Sequence, residues 1–252
     1  MKRYLSLMLL LAGGFSLAAR ERVPADSLVI GVLLGADAGG AIPFPFKNLP
    51  GTYNPYPQLN LSVGGTIGIP LDRSWSIVSG LGYKTVSLAA DARVTNQKFQ
   101  DKEHLQYFTG TTRARQRFSF IELPLYAMYR FKSDRDHLLL GVYHAWMTSG
   151  IFRVEPRKGF IGNQPDSFEA KMEEGMEEMR FDDALDSWDA GLLVGYERRI
   201  HPRATLGVRF SWGLKDIFKA DNKFFDYSML HLRGGVTLGC DLFRVPPRGE
   251  RR

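Results

Sequence analysis

The feature that most constrains this fold is a strict alternation of side chains over residues 205–215, which read TLGVRFSWGLK. Five large apolar side chains fall on one face: Leu206, Val208, Phe210, Trp212 and Leu214. Small, polar and basic side chains take the other face, because successive strand residues point to opposite sides. The pattern returns along the chain, where short and long polar connections alternate. Together these features predict a transmembrane β-barrel, with an outer face toward lipid and a polar lumen.

The N-terminus predicts a secretory signal peptide over residues 1–19. Two basic residues precede a mostly apolar run over residues 4–17, and small residues follow at Ala18 and Ala19. This order of charged, apolar and small residues is typical of exported proteins, with cleavage after one of the two alanines. A membrane anchor is the weaker interpretation, because a spanning helix needs roughly 20 apolar residues.

Composition narrows the class of exported protein. The single cysteine, Cys240, excludes an intramolecular disulfide and lies too far from the N-terminus to be a lipoprotein acylation site. Hydrophobic residues make up 44% of the chain, yet no stretch after residue 19 resembles a spanning helix. Export with this composition favours strands that cross a membrane. The net charge of +6 is spread along the chain, so no nucleic-acid partner is expected.

Eight strands are predicted, at residues 27–36, 59–69, 75–87, 118–131, 137–151, 188–200, 204–215 and 228–243. Tight polar turns and long polar segments alternate between them, the turns at 71–74, 132–136 and 201–203 and the segments at 37–58, 88–117, 152–187 and 216–227. This alternation is typical of an up-and-down barrel with short periplasmic turns and long external loops. The expected organisation is an all-β, eight-stranded antiparallel transmembrane barrel over residues 27–243, followed by a basic C-terminal tail at 244–252.

Ten charged residues are predicted to point into the lumen: Lys84, Glu122, Arg130, Asp189, Glu197, Arg199, Arg209, Lys215, Arg233 and Asp241. The lumen of an eight-stranded barrel is just wide enough for side chains to fill it. Buried charges are costly unless they are paired, so these residues are predicted to form a salt-bridge network that closes the lumen. Large apolar side chains interrupt the polar face of the first and fifth strands at Leu33, Leu139 and Tyr143.

Tryptophan and tyrosine residues collect near the predicted strand ends: Trp75, Trp146, Trp188, Trp212, Tyr83, Tyr129 and Tyr196. In a membrane barrel such residues form girdles at both membrane interfaces. Aromatic residues are enriched in strands of every kind, however, so the girdles depend on the barrel interpretation.

Four segments carry a resemblance to a known family: FIELPLYAMYRF at residues 120–131, WDAGLLVGYE at 188–197, LGVRFSWGL at 206–214 and LRGGVTLG at 232–239. They resemble the PorT-like outer-membrane β-barrels of Bacteroidota. The resemblance implies a small outer-membrane barrel, generally without known enzymatic chemistry, and one member of that family assists a protein-secretion system. This chain departs from many outer-membrane barrels at its end, where Phe243 is followed by the basic tail.

The sequence leaves three functions open. The first is a non-enzymatic barrel, surrounded by outer-membrane lipid, that supports the envelope or assists a secretion or surface complex through its external loops. A monomer without a cofactor is expected. The second is a barrel enzyme acting on lipid or peptide, for which polar residues lie near the external rim: His104, His144, Ser149, Asp182, Asp183 and Asp186. The third is a soluble periplasmic carrier of an apolar ligand, which would reverse the two faces.

The acidic stretch over residues 169–186 is a weak candidate for a metal site. Met172, Met176 and Met179 have helical spacing, which predicts a short amphipathic helix. Carboxylates are ligands for calcium, but their spacing here matches no EF-hand, and a solvated acidic face is the favoured interpretation. No metal ligand and no catalytic residue is therefore predicted.

Overall fold

The computed structural model describes residues 27–48, 52–101, 104–132, 135–174, 179–221 and 227–245. The strands in these ranges are β1 (Leu28–Phe44), β2 (Thr52–Pro57), β3 (Asn60–Pro70), β4 (Trp75–Asp101), β5 (His104–Arg130), β6 (Asp136–Gly162), β7 (Ala170–Glu173), β8 (Met179–Arg180), β9 (Trp188–His201), β10 (Ala204–Gly213) and β11 (Ser228–Val245). Two 3-10 helices cover Phe46–Asn48 and Asp182–Ala184. The predicted signal peptide, and the predicted tail beyond residue 245, lie outside the described residues.

Eight of these strands close into a ring. Each pairs antiparallel with its neighbours in the order β1, β3, β4, β5, β6, β9, β10 and β11, and β11 pairs back onto β1. Neighbours in the ring are also neighbours along the chain, which is the up-and-down connectivity that the sequence predicts. The short strands lie beside the ring, with β2 on β4 and with β7 and β8 on β6. The eight-stranded antiparallel barrel is therefore confirmed.

The apolar face of the ring points outward. In β3, for example, Leu61 is 62% exposed and Val63 is 53% exposed. The pairing register aligns such residues across strands, as in the exposed row of Leu34, Leu238 and Leu206. A continuous apolar belt of this kind is suited to lipid rather than water. The hypothesis of a soluble carrier needs the opposite facing and is therefore wrong.

Short turns close one end of the barrel, as predicted. Residues 71–74 join β3 to β4, residues 131–135 join β5 to β6, and residues 202–203 join β9 to β10. In the first of these turns the carboxylate of Asp72 accepts the backbone N–H of Ser74 at 2.6 Å and that of Trp75 at 2.8 Å. This is the periplasmic end, since barrels of this class have their short turns there.

At the other end the strands continue well past their predicted boundaries. β4, β5 and β6 have 27 residues each, which corresponds to a strand length of about 90 Å. Residues 88–101 and 104–117 were expected to be a loop, but they pair as one hairpin. β1 also continues to Phe44. We call the described part beyond the apolar belt the extension, which comprises residues 38–48, 52–57, 86–101, 104–118, 148–174, 179–187, 216–221 and 227–229.

The predicted boundaries are too short because the outward residues of the extension are polar. Along β5, the face that carries Ile121 in the belt carries Arg117 and Arg115 in the extension, whereas Phe118 and Gln116 are buried inside. The alternation persists with its polarity reversed. A search for apolar outward positions therefore ends before the strand does.

The acidic stretch is not an amphipathic helix where the structure describes it. Ala170–Glu173 form β7 against β6, and Asp182–Ala184 form a 3-10 turn. Met172 is buried in the core of the extension as a strand residue. The helix prediction is wrong for these residues, because tertiary pairing with β6 overrides the methionine spacing. None of the helices in the described ranges is long and apolar enough to cross a membrane.

Candidate functional site

The interior of the belt holds a buried cluster of charges from four strands. Glu122 of β5 accepts from Lys84 of β4 and from Arg233 of β11, each at 3.0 Å. The ammonium of Lys84 also lies 3.7 Å from the carboxylate of Asp37 of β1. At most 16% of each of these side chains is exposed. The cluster ties opposite walls of the barrel together and closes the lumen at this level.

A second cluster lies on the periplasmic side of the first. Arg209 of β10 donates to Glu197 of β9 at 2.7 Å and to the hydroxyl of Tyr126 of β5 at 3.0 Å. The guanidinium carbon of Arg209 also stands 5.1 Å from the centre of the Tyr126 ring. Arginine suits this site because its planar group can donate hydrogen bonds and stack on an aromatic ring at once.

A third cluster lies on the external side and contains a histidine. Asp189 of β9 accepts from the hydroxyl of Tyr143 at 2.8 Å and lies 3.0 Å from Nδ1 of His231. The Arg233 guanidinium lies 4.9 Å from the centre of the Tyr143 ring, which connects this cluster to the first. The edge of the His231 ring meets Phe118 at a centroid distance of 5.2 Å. Here the polar interior of the belt gives way to an aromatic one.

Glycines on the inner face make room for these side chains. A Cβ atom on Gly235 would stand 2.1 Å from Oδ1 of Asp37, and one on Gly207 would stand 2.6 Å from Cγ of Glu197. Both distances are well below van der Waals contact. The charged clusters therefore fit into the barrel only because glycines, which have no side chain, lie beside them on the inner face.

The structure places the ten predicted lumen residues in three settings. Six lie in the clusters just described: Lys84, Glu122, Asp189, Glu197, Arg209 and Arg233. Three line a cavity of about 80 Å³ at the periplasmic end: Arg130, Arg199 and Asp241. Lys215 lies instead at the external rim, where it pairs with Asp186 and stands 4.3 Å from the Trp188 ring centre.

Several members of the clusters were missed by the sequence prediction. Asp37 lies one residue beyond the predicted end of the first strand. It is two residues after Gly35 and four after Leu33, so it shares their inward face. Tyr143 counted as an interruption of the polar face, because its hydroxyl partner could not be foreseen. His231 shares the inward face with Arg233, two residues further on, but a histidine is not among the ten charged residues predicted for the lumen.

The interior of the extension is apolar. Its core comprises Ala41, Val86, Phe108, Phe118, Phe152, Val154, Met172, Phe181, Leu185, Ile217, Phe218 and Met229. The same buried cluster continues into the external end of the belt through Phe120, Tyr143 and Ala145. The Gln116 amide is buried beside this core, where it accepts from the Ala41 backbone N–H at 2.8 Å and donates to the Ala41 carbonyl at 2.7 Å. The Gln116 side chain thereby binds both backbone groups of a buried residue of β1 that lies beyond the pairing of β1 with β3.

Polar contacts on the outside of the extension lower the pKa of two carboxyl groups, those of Asp91 and Glu169. Arg113 donates to both oxygens of Asp91, at 2.6 and 2.7 Å, and holds the pKa of that carboxyl below its ordinary value. The hydroxyl of Ser167 and the backbone N–H of Asn163 likewise lower the pKa of Glu169. Both carboxylates therefore stay charged to a lower pH than free side chains do.

Three of the six candidate catalytic residues at the rim, His144, Asp182 and Asp186, take part in other contacts. His144 lies among aromatic rings on the outer face, with centroid distances of 4.5 Å to Trp146 and 5.4 Å to Trp188. Asp182 accepts the backbone N–H of Phe152 at 2.7 Å, and Asp186 binds Lys215. Ser149, Asp183 and the backbone of His104 are at the surface of the extension or in its strands. Within the described ranges no three His, Cys, Asp or Glu side chains group as metal ligands do.

Aromatic residues mark the two ends of the apolar belt. At the periplasmic end Trp75 packs on Tyr129 with a centroid distance of 4.9 Å. At the external end Trp212 packs near Phe44 at 6.3 Å, and Trp146 stands opposite the exposed Ile121. Rings at these levels suit membrane interfaces. The belt between them is the part of the barrel in contact with lipid.

The closed barrel, the apolar belt and the filled lumen define the class of this protein: a β-barrel protein of the outer membrane. Residues 21–219 match the family model described as outer membrane protein beta-barrel domain, and the chain belongs to that family. No protein of curated function matches the chain in sequence.

Solved structures with which the chain shares similarity are also outer-membrane barrels. One is the attachment invasion locus protein Ail of Yersinia pestis, at 11% identity and a TM-score of 0.36 over 85% of this chain and 99% of that one. Neisserial surface protein A has 11% identity and a TM-score of 0.37 over 88% and 100%. The protease OmpT of Escherichia coli has 10% identity and a TM-score of 0.27 over 89% and 99%. The family assignment rests on the sequence match, not on these remote structural similarities.

Proposed function

We propose that this protein is a non-enzymatic outer-membrane scaffold that supports a secretion or surface complex through its extension, with the monomer as its unit. One observation carries the proposal: the interior is occupied along its length, first by ion pairs and then by aromatic side chains. Among the described residues, cavities of about 50 and 80 Å³ lie in the lumen of the belt and one of about 70 Å³ lies inside the extension. Each has room for a small group of water molecules rather than for a channel. A filled interior supports a scaffold and speaks against a pore.

The extension supplies a surface suited to partners. Near its tip Phe160 and Phe168 pack on each other at a centroid distance of 5.3 Å, and they are 41% and 58% exposed. Exposed apolar groups far from lipid mark sites of protein interaction. The resemblance to PorT-like barrels gives the proposal its more specific form, in which the partner is a component of a protein-secretion system.

Photocrosslinking in the native host tests the proposal. A photoreactive phenylalanine replaces Phe160 or Phe168 in the extension, and Phe131, exposed beside a periplasmic turn, is the matched control position. We expect a covalent adduct with one envelope protein from the extension positions and a different adduct pattern from position 131. Normal amounts of folded barrel without a protein adduct at either extension position would contradict the scaffold role.

A further inference from the structure

One histidine inside the barrel has no partner for either nitrogen of its ring. His137 is the second residue of β6, and only 1% of it is exposed. Within the part of the chain that the structure describes, neither Nδ1 nor Nε2 of this ring forms a hydrogen bond. Buried polar groups are nearly always hydrogen-bonded, because leaving one without a partner costs free energy. The buried ring therefore indicates a bound molecule beside it.

The space for such a molecule is the cavity of about 80 Å³ at the periplasmic end of the lumen. The pairing register places Arg130 of β5 on one side of His137 and Glu197 of β9 on the other, and all three residues line the cavity. Arg199 of β9 and Thr205 of β10 pair with each other and line it as well. The room that several water molecules need can instead hold one tetrahedral oxyanion.

Most of the polar groups around the cavity can donate hydrogen bonds. Arg130 and Arg199 have contacts within the protein, but each guanidinium group carries five N–H donors and can bind a ligand as well. The hydroxyl of Thr205 can donate, and a neutral imidazole ring donates from one nitrogen and accepts at the other. This set suits a ligand with several acceptor oxygens and one O–H group, which describes a protonated phosphate ion.

Two carboxylates also line the cavity, and an arginine binds each of them. Glu197 accepts from Arg209 at 2.7 Å, and Asp241 accepts from Arg244 at 2.7 and 3.2 Å. A carboxylate paired in this way repels a nearby anion less than a free carboxylate does. The carboxylates therefore leave the cavity open to an anion, and the guanidinium groups favour an oxyanion in particular.

The cavity lies next to the periplasmic turns. Arg130 is the last residue of β5, His137 is the second residue of β6, and Arg199 is the third residue from the end of β9. Further into the barrel, the first cluster of charges closes the lumen toward the external side. The route to the cavity is therefore from the periplasm.

We propose that this cavity is a binding site for a small oxyanion of the periplasm, of the size of inorganic phosphate. His137 and Arg199 are its principal ligands, and Arg130 and Thr205 complete the wall. The anion supplies the hydrogen bonds that the polypeptide does not offer to the His137 ring. It also connects β5, β6, β9 and β10 at the end of the barrel where their turns are short.

Isothermal titration calorimetry with inorganic phosphate tests the proposal. The protein is purified in a maltoside detergent, which carries no phosphate, and sodium chloride of equal ionic strength is the reference titrant. Two variants alter the cavity, His137→Leu and Arg199→Gln. Their controls change the same residue types outside it, as His144→Leu on the outer face and Arg198→Gln at the exposed neighbouring position. The heat-dependent mobility shift shows that each protein is folded.

We expect saturable heat from phosphate for the wild type and both controls, and none from chloride. His137→Leu and Arg199→Gln should each weaken binding by about tenfold or more, since each loses a hydrogen bond to a charged ligand. No saturable heat from the wild type at millimolar phosphate would overturn the proposal and leave water as the occupant of the cavity. Equal affinity in all five proteins would also overturn it, because the phosphate would then bind elsewhere. If a cavity variant does not assemble, Thr205→Val takes its place, since it removes a single hydroxyl from the same wall.

Discussion

The membrane half of this barrel and its extension are built from the same strands with opposite chemistry. In the belt, leucine and isoleucine point outward and residues such as Glu122 and Arg233 fill the interior. In the extension, Arg115 and Arg117 point outward and residues such as Phe152 fill the interior. The period of a strand fixes which side chains share a face. The surrounding medium, lipid or water, then decides which face is apolar.

The two halves should therefore fail in different ways. The extension has an apolar core in water, so the hydrophobic effect stabilises it as in a soluble sandwich. The belt is surrounded by lipid, so the hydrophobic effect does not drive its side chains into the interior. Its buried charges must therefore be paired with one another. Four changes test this difference, from the largest expected effect to the smallest.

The largest effect is expected from Glu122→Ala in the belt. The substitution leaves Lys84 and Arg233 buried without their shared carboxylate, and breaking a buried pair in this way costs about 3–5 kcal/mol. Urea unfolding in lipid vesicles measures the loss. Leu123→Ala, at the exposed neighbouring position, is the control. Equal midpoints for the two variants would show that the charges contribute nothing to the belt.

A similar but local effect is expected from Phe152→Ala in the extension. Phe152 is 1% exposed, between Phe181 and Phe218, and such a truncation costs about 3 kcal/mol. Limited proteolysis should cut the extension of the variant sooner, while the remaining barrel keeps its heat-dependent mobility. Phe160→Ala, on the exposed face of the same strand, should leave the cleavage rate unchanged. Simultaneous loss of belt and extension would show that the halves are not separable.

A smaller effect is expected from Gly235→Ala, which tests the fit between the wall and the first cluster. The new Cβ would collide with the Asp37 carboxylate and with the Ala36 carbonyl at 2.5 Å. Overpacking of this kind costs about 1–3 kcal/mol. Gly65→Ala is the matched control, since a Cβ atom there would stand 3.9 Å from its nearest neighbour, the carbonyl oxygen of Gly31. Vesicle unfolding of both variants should separate them, and equal stability would mean that the cluster can shift at no cost.

The smallest effect is expected on the surface of the extension, as a pH dependence. The folded pKa of Asp91 lies below its ordinary value of 3.8, because Arg113 binds the charged form. The stabilisation is therefore complete above pH 3.8 and is lost as the pH falls through the lower, folded pKa. An exposed pair of this kind contributes below about 1 kcal/mol. The rate of proteolysis of the extension, measured between pH 5 and pH 2, reports this loss of stability. Asp91→Asn should make that rate depend less steeply on pH. An unchanged slope would assign the pH dependence to other groups.

The belt was predictable from sequence because lipid permits one facing only. Apolar outward residues at every second position, as in residues 205–215, identified its strands and most of its inward charges. The pairings could not be derived, because they depend on the stagger of strands that are distant in sequence. Glu122 and Arg233, for example, are 111 residues apart.

The extension was predicted as loop because it follows the opposite rule. Phe118 and Phe152 are spaced as strand residues, but their outward neighbours Arg117 and Arg153 are those of a soluble protein. The strands of this chain are therefore apolar outside in the belt and apolar inside in the extension. A search for one of these two patterns alone ends at the boundary between lipid and water. Register shifts at Ser119/Phe120 of β5, opposite Met147 and Ser149 of β6, lie close to this boundary.

The reversal of polarity also sets an order of events during biogenesis. Both ends of the described barrel, at β1 and β11, leave it on the side of the short turns. Every residue of the extension must therefore traverse the bilayer before its aromatic core can collapse in water on the far side. Arg113, Arg115 and Arg117 travel with it. The cell-surface half of the molecule is consequently the last to acquire its native packing, after the hairpins that carry it have crossed.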